Sequence, residues 1–232
     1  MLPILLIARN FVRTQWLVVC IMSVYLLGIT GVFSIHEETA ETAFFLQWHS
    51  SYVVFLAMTL AVGAIQAEKK SRRIIAVLSK GIHRWQYLAG LLVGCGIIVG
   101  IFWLLIAGGV FVLYRQAGYP VDGLPVLILA LFCCCLAASA VSLFFSVFLH
   151  PLLAAAASAV TLVFPYILQG AGWRIPGELF PVFAAADLLQ RFELNAVAQA
   201  WTIAAVALAW VLVFVAAAAA VFNRRDVTTS PE

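Results

Sequence analysis

Gln66-Ala67-Glu68-Lys69-Lys70-Ser71-Arg72-Arg73-Ile74-Ile75-Ala76-Val77-Leu78-Ser79-Lys80-Gly81-Ile82-His83-Arg84-Trp85 is the one long polar interruption in a chain that otherwise reads as nearly continuous hydrocarbon. Six of the thirteen Lys and Arg residues lie between Lys69 and Arg84. Within the stretch, Ile74, Ile75 and Leu78, continued by Ile82, recur at the spacing of one helix side. Gly81 follows the last periodic turn, where a helix is readily stopped. The reading is a short amphipathic helix held outside the bilayer between two membrane spans. An apolar face exposed on such a loop needs a partner, because large exposed apolar patches mark interaction sites.

The rest of the composition agrees with a membrane protein. Of 232 residues, 65% are hydrophobic and 10% charged, and the mean hydropathy is +1.10. Soluble domains carry roughly 25% charged residues. At about 20 residues per span, the length allows roughly six helical crossings. The expected fold is therefore all-α, one integral membrane domain over residues 1–232 with six transmembrane helices. The five cysteines, Cys20, Cys95, Cys133, Cys134 and Cys135, all fall in apolar segments. They read as packing residues and not as a disulfide framework or a metal site.

Residues 1–14 are too short to cross. With Arg9 and Arg13 on the polar side, they fit an interfacial amphipathic helix, and they lack the pattern of a cleavable signal. Span 1 is expected over Trp16–Ser34, followed by the acidic loop His36–Glu41. Span 2 covers Trp48–Ala67 and span 3 Trp85–Tyr114. Span 3 contains Gly90, Gly94, Gly96 and Gly100, two small-xxx-small pairs that permit close helix contact. After a loop from Arg115 to Leu124, span 4 runs over Pro125–Leu149, His150-Pro151 makes a tight turn, and span 5 covers Leu152–Leu168. Residues 170–196 are apolar but broken by Gly170, Gly172, Pro176, Gly177 and Pro181. They read as a re-entrant hairpin, whose backbone must be covered by protein or line a wet cavity. Span 6 is Val197–Phe222, with a polar tail from Asn223.

Charge sets the orientation. With the N-terminus inside, ten basic residues are cytoplasmic: Arg9, Arg13, Lys69, Lys70, Arg72, Arg73, Lys80, Arg84, Arg224 and Arg225. Three, Arg115, Arg174 and Arg191, are outside, together with seven of the ten acids. Both termini are then cytoplasmic and the hairpin is external.

The chain has no Gly-Lys pair and hence no P-loop. The basic stretch adjoins two spans and offers little aromatic interleaving, which argues against nucleic acid. His36 and His49 flank the acidic loop, but two histidines on loop ends are a poor metal site, and none is expected. Asp187 and Arg191 are spaced as a helical ion pair. The spans carry almost no charge, so neither a proton relay nor hydrolytic chemistry is expected in them.

Taken in order, these features resemble the ABC-2 (type V exporter) family of ABC-transporter permeases. Glu68 is followed eleven residues later by Ser79 in Val77-Leu78-Ser79-Lys80-Gly81-Ile82-His83-Arg84, and the chain closes on Phe222-Asn223-Arg224-Arg225-Asp226. Both segments look like family patterns. Gly81, His83 and Arg72 depart from them, at positions where Pro, Ser or Thr, and Gly are common.

The resemblance implies that loop 68–84 carries a coupling helix that docks on a separate ATPase subunit. Ile74, Ile75 and Leu78 would be anchors, with Glu68, Arg72, Arg73, Lys80 and Arg84 around them. It implies two permease copies, expected as a homodimer, with two ATPase subunits that bind ATP and Mg. The permease itself would have no cofactor and no enzymatic activity. The hairpin, through Trp173, Glu178, Phe180, Asp187 and Arg191, would close the path on the outside. A lining without buried charge favours a lipid-like or amphipathic substrate, exported across a bacterial inner membrane. The competing reading is an ATP-independent membrane scaffold or intramembrane enzyme, or a basic loop that merely touches anionic lipid.

Overall fold

In the computed structural model, residues 2–33, 39–70, 83–116, 118, 122–173, 176–190 and 196–224 are described. They form α1 (Leu2–Thr14), α2 (Trp16–Phe33), α3 (Thr39–Lys70), α4 (Arg84–Gln116), α5 (Leu124–Phe148) and α6 (Pro151–Gly170). A 3-10 turn (Gly177–Leu179), α7 (Pro181–Gln190) and α8 (Val197–Arg224) follow. The described elements follow the expected order, and the helix expected in loop 68–84 falls on residues 71–82, outside the described residues. One boundary differs: α3 begins at Thr39, so the end of the acidic segment, up to Glu41, is helical and not loop. Acidic residues suit the positive end of a helix, which favours starting it before the apolar run.

Among the described residues, five helices are long and apolar enough to cross a membrane: Phe45–Gln66 within α3, Arg84–Arg115, Leu124–Phe148, Pro151–Gly170 and Val197–Phe222. The pair α1 and α2, bent by 62° near Gln15, makes a sixth candidate if it is counted as one span.

α5 is the hub. It packs against α3, α4, α6, α7 and α8, and its longest contact is with α8. The reason lies in its sequence. Ala130, Cys133, Cys134, Cys135, Ala137, Ala138, Ser139, Ala140 and Ser142 are all buried, and small residues let neighbouring backbones come close. The Ser139 hydroxyl donates to the Ala57 carbonyl of α3 at 3.3 Å, and Trp103 of α4 donates its indole N–H to the Cys135 Sγ at 3.3 Å.

The glycines of α4 serve two neighbours. A Cβ on Gly90 would stand 2.8 Å from the Ile7 Cβ, and one on Gly94 would stand 2.8 Å from the Phe11 ring. Gly96 instead faces Leu136 of α5 at 3.0 Å, and Gly100 faces Phe132 at 3.6 Å. Ile7 on Gly90 and Phe11 on Gly94 are successive turns on both helices, so α1 runs alongside the start of α4 in the same direction. Ala8 and Phe11 are buried in that contact, while Leu5 and Leu6 stay exposed.

Two connections show why the helices stop. Pro151 fixes the first turn of α6, and the preceding His150 is extended, as a residue before proline prefers. At the other end of α6, Gly172 takes φ +82°. Trp173 N–H then bonds the Leu168 carbonyl at 3.0 Å and Gly172 N–H the Gln169 carbonyl at 2.9 Å. This paired closure ends the helix and turns the chain back.

Substituting Gly94→Leu should push Phe11 away and free α1. Overpacking of this kind costs about 1–3 kcal/mol. Hydrogen exchange over residues 2–14 should rise while the α5 amides keep their protection; unchanged exchange in α1 would show that the close approach at Gly94 does not hold it.

Candidate functional site

Of the residues expected to form the loop dock, Arg72, Arg73, Ile74, Ile75, Leu78 and Lys80 lie outside the described residues. Glu68 falls in the last turns of α3, and Arg84 opens α4. The destination of Arg84 is not one that spacing announces. Its guanidinium donates to the Phe222 carbonyl and stands over the Phe222 ring, 5.4 Å from the centroid. Phe222 lies in the last turn of α8, where carbonyls lack helical partners. A cation there completes the hydrogen bonding and offsets the negative end of the helix. The start of α4 and the end of α8 therefore meet at one end of the bundle, beside the Gly90 contact with α1.

The broken segment between α6 and α8 sits differently. Trp210, midway along α8, donates its indole N–H to the Leu179 carbonyl at 3.0 Å and packs on Phe180 at 5.8 Å. Near the middle of α5, the Cys134 thiol donates to the Pro181 carbonyl at 3.3 Å. The junction between the 3-10 turn and α7 thus reaches the mid-length of both long helices. The carbonyl of Leu179, in the 3-10 turn, and that of Pro181, in the first turn of α7, are each met by a side-chain donor.

Two cavities flank this junction. One, of about 560 Å³, is lined by Gln169, Trp173, Glu178, Phe183, Asp187 and Gln199 among others. Its described wall brings two carboxylates and two carboxamides together. Gln199 stands near the start of α8, so this cavity is at the end of the bundle opposite Arg84 and Phe222. The other, of about 260 Å³, opens between α3 and α6. Val54, Phe55, Met58, Leu162 and Val163 give it an apolar wall, Trp103 and Cys134 lie behind, and Ser50 and Ser51 stand at its edge. Tyr166 belongs to the apolar cavity and Phe183 to the polar one, and their rings meet edge-on with centroids 4.6 Å apart. This aromatic pair forms the partition. Gly177 makes room for it: a Cβ there would stand 2.7 Å from the Phe183 ring.

Of the expected gate residues, Trp173, Glu178 and Asp187 come together around the polar cavity. Phe180 does not line it and packs on Trp210 instead. Arg191 lies outside the described residues, so its expected pairing with Asp187 does too. Tyr166, Phe183, Trp210 and Cys134 were not singled out from the sequence. Each sits in an apolar run where nothing local separates a lining residue from a packing one. His49, weighed as a metal ligand, is buried; its Nδ1 donates to the Phe45 carbonyl at 2.8 Å and its ring stacks on Phe45 at 4.0 Å. His36 lies outside the described residues. Among the described residues, no group of three or more His, Cys, Asp or Glu side chains is placed to hold a metal ion.

Trp210→Phe keeps the ring packing but leaves the Leu179 carbonyl without its donor. Losing one such hydrogen bond costs about 0.5–1.5 kcal/mol. The variant should melt at a lower temperature than wild type, and Glu178→Cys in that background should react faster with a thiol reagent; equal rates would show that Trp210 does not hold the turn.

Comparison with known proteins places the fold and these cavities in context. A family model described as "ABC-2 family transporter protein" matches residues 30–227. Among curated proteins, no significant match is found.

Proposed function

The chain belongs to the ABC-2 family of transporter proteins, and on that premise we propose that it is the permease subunit of an ATP-driven exporter for an amphipathic substrate. The family implies association with an ABC ATPase subunit, and the several long apolar helices mark a multi-pass membrane protein.

The observation that carries the exporter reading is the segregation of the two ends. Arg84, the end of α8 and the α1 contact lie together at one end. Glu178, Asp187, Gln169 and Gln199 surround a cavity at the other. In this reading the Arg84 end is cytoplasmic, with both termini, and six spans are completed by α2. α1 attaches at the inner interface, docked on α4. The segment 170–196 is the external re-entrant hairpin. Its support is the position of Leu179 and Pro181 beside the middle of α8 and α5, where a bilayer demands satisfied carbonyls. The loop 68–84 is the dock for the ATPase, which supplies the ATP and Mg sites. The permease has no cofactor of its own and is not an enzyme.

The cavities support the amphipathic cargo. An apolar chain fits between α3 and α6, and a polar head fits among the carboxylates and carboxamides beyond the Tyr166–Phe183 partition. Long exposed apolar faces, such as Leu208, Leu212 and Val213 on α8 and Leu152, Val160 and Ile167 on α6, are suited to lipid or to a second permease copy. Two copies with two ATPases in a bacterial inner membrane complete the assembly.

Changing Ile75 and Leu78 to Asp should release the ATPase from the solubilised complex while the permease stays inserted, because a charge in a packed anchor position removes the apolar burial that holds it. Unaltered ATPase stoichiometry after affinity purification would refute the loop as the dock. Separately, Ala159→Trp should fill the apolar cavity. Native mass spectrometry of the purified complex should then find less co-purified amphiphile than in wild type; equal occupancy would remove the cavity from the substrate path.

A further inference from the structure

α8 touches all three features described above. Gln199 lines the polar cavity near its start, Trp210 holds the Leu179 carbonyl at its middle, and Phe222 receives Arg84 at its end. Arg84 is the first residue of α4 and follows directly on loop 68–84. We infer that Arg84 is the joint through which displacement of that loop reaches α8, and through α8 the 3-10 turn and α7 at the far end. The inference rests on the reading of the loop as an ATPase dock. It reassigns Arg84 from a residue facing the ATPase to a positioning residue within the permease.

The chemistry at the joint favours this role over simple anchoring to lipid. The guanidinium is half-buried, and Phe222 is 5% exposed. One planar group makes two different attachments to the same residue, a hydrogen bond to its carbonyl and a contact over its ring. A carbonyl in the last turn of a helix is fixed to the helix axis, so a pull on it moves the whole rod and not one flexible side chain. A guanidinium over an aromatic face in partly desolvated surroundings is a strong cation–π contact, and its planar fork is pre-organised in a way an ammonium is not. α8 then carries the movement without a break, because its interior holds no Pro and no Gly.

The turn at the far side is equipped to respond. Leu179 and Pro181 are attached to α8 and α5 through one donor each, Trp210 and Cys134. Sliding α8 against α5 would pull these two attachments apart. That motion would act on Phe183, which faces Tyr166 at 4.6 Å across the partition between the cavities.

The test uses the purified permease–ATPase complex in lipid nanodiscs, with hydrogen exchange over residues 176–190 read without nucleotide and with ATP and vanadate. Each response is normalised to the ATPase retained in the sample. Wild type should show a nucleotide-dependent change. Arg84→Ala should reduce that change roughly tenfold, within the range usual for coupled sites, and Arg84→Lys should restore only part of it. In a Cys20→Ser background, Arg84→Cys with Phe222→Cys, joined by a short bifunctional thiol reagent, should regain the response, which a merely stabilising role for Arg84 would not predict. An Arg84→Ala complex that responds like wild type, or a joined double variant that stays silent, would overturn the joint and leave the docking reading standing. A wild-type complex with no nucleotide-dependent change would overturn the docking reading and the joint with it.

Discussion

Two side-chain donors tie the broken segment between α6 and α8 to the long helices beside it, and much of this molecule is arranged around those two ties. The 3-10 turn and the start of α7 lie against the middles of α8 and α5. Trp210 and Cys134 supply the donors, and both are residues whose bulk is apolar and whose donor is a single atom. An Asn would donate as well but would bring a carboxamide oxygen that needs a partner of its own. The choice of side chain follows from the surroundings.

A helix that must host such contacts and also pack against four others has to be thin. α5 achieves this with Ala, Ser and Cys through its middle, from Ala130 to Ser142. Large residues are pushed outward to its neighbours, where Trp103, Phe102, Ile98 and Leu91 of α4 fill the space. The same division recurs in α4, whose Gly90 and Gly94 admit the bulky Ile7 and Phe11 of α1. Between helices already surrounded by apolar material there is little hydrophobic drive to associate, so close approach and dispersion carry more of the stability. Large side chains meeting small ones is the arrangement that maximises both.

The sequence made the long helices legible because each holds a long apolar run bounded by charge, Pro or Gly, and α4, α5, α6 and α8 begin and end close to where those signals fall, whereas α3 begins ahead of its apolar run. Gly172 was legible as a break for a definite reason: the helix end requires a residue at φ +82°, and Gly adopts it freely. The glycine pairs of α4 were legible as contact sites but not by partner, since spacing gives a face and not its neighbour. The four-residue repeat of Gly90 and Gly94 receives α1, whereas Gly96 and Gly100 receive α5. The contact of Arg84 with Phe222 was not legible for the same reason. A basic residue at a loop end has the same local signature whether it faces a partner protein or the end of a helix 138 residues away. Phe180 shared every sequence feature of the gate residues and yet turned to Trp210. Contacts between residues far apart in the chain are set by the packing of whole helices, and no window of sequence contains that information.

The ring contact between the two cavities is a weak one. Its two rings come from α6 and α7, and the chain between them includes the turn at Gly172 and the 3-10 turn. An edge-on aromatic contact contributes about 0.5–1.5 kcal/mol beyond simple burial. That is enough to set a preferred state and too little to lock it. Gly177 allows the Phe183 ring to rest against the 3-10 turn, so the ring is backed by backbone on one side and by Tyr166 on the other. Glu178 and Asp187 line the polar cavity, and Val54, Met58 and Leu162 line the apolar one, so a shift of α7 against α6 would alter both spaces at once.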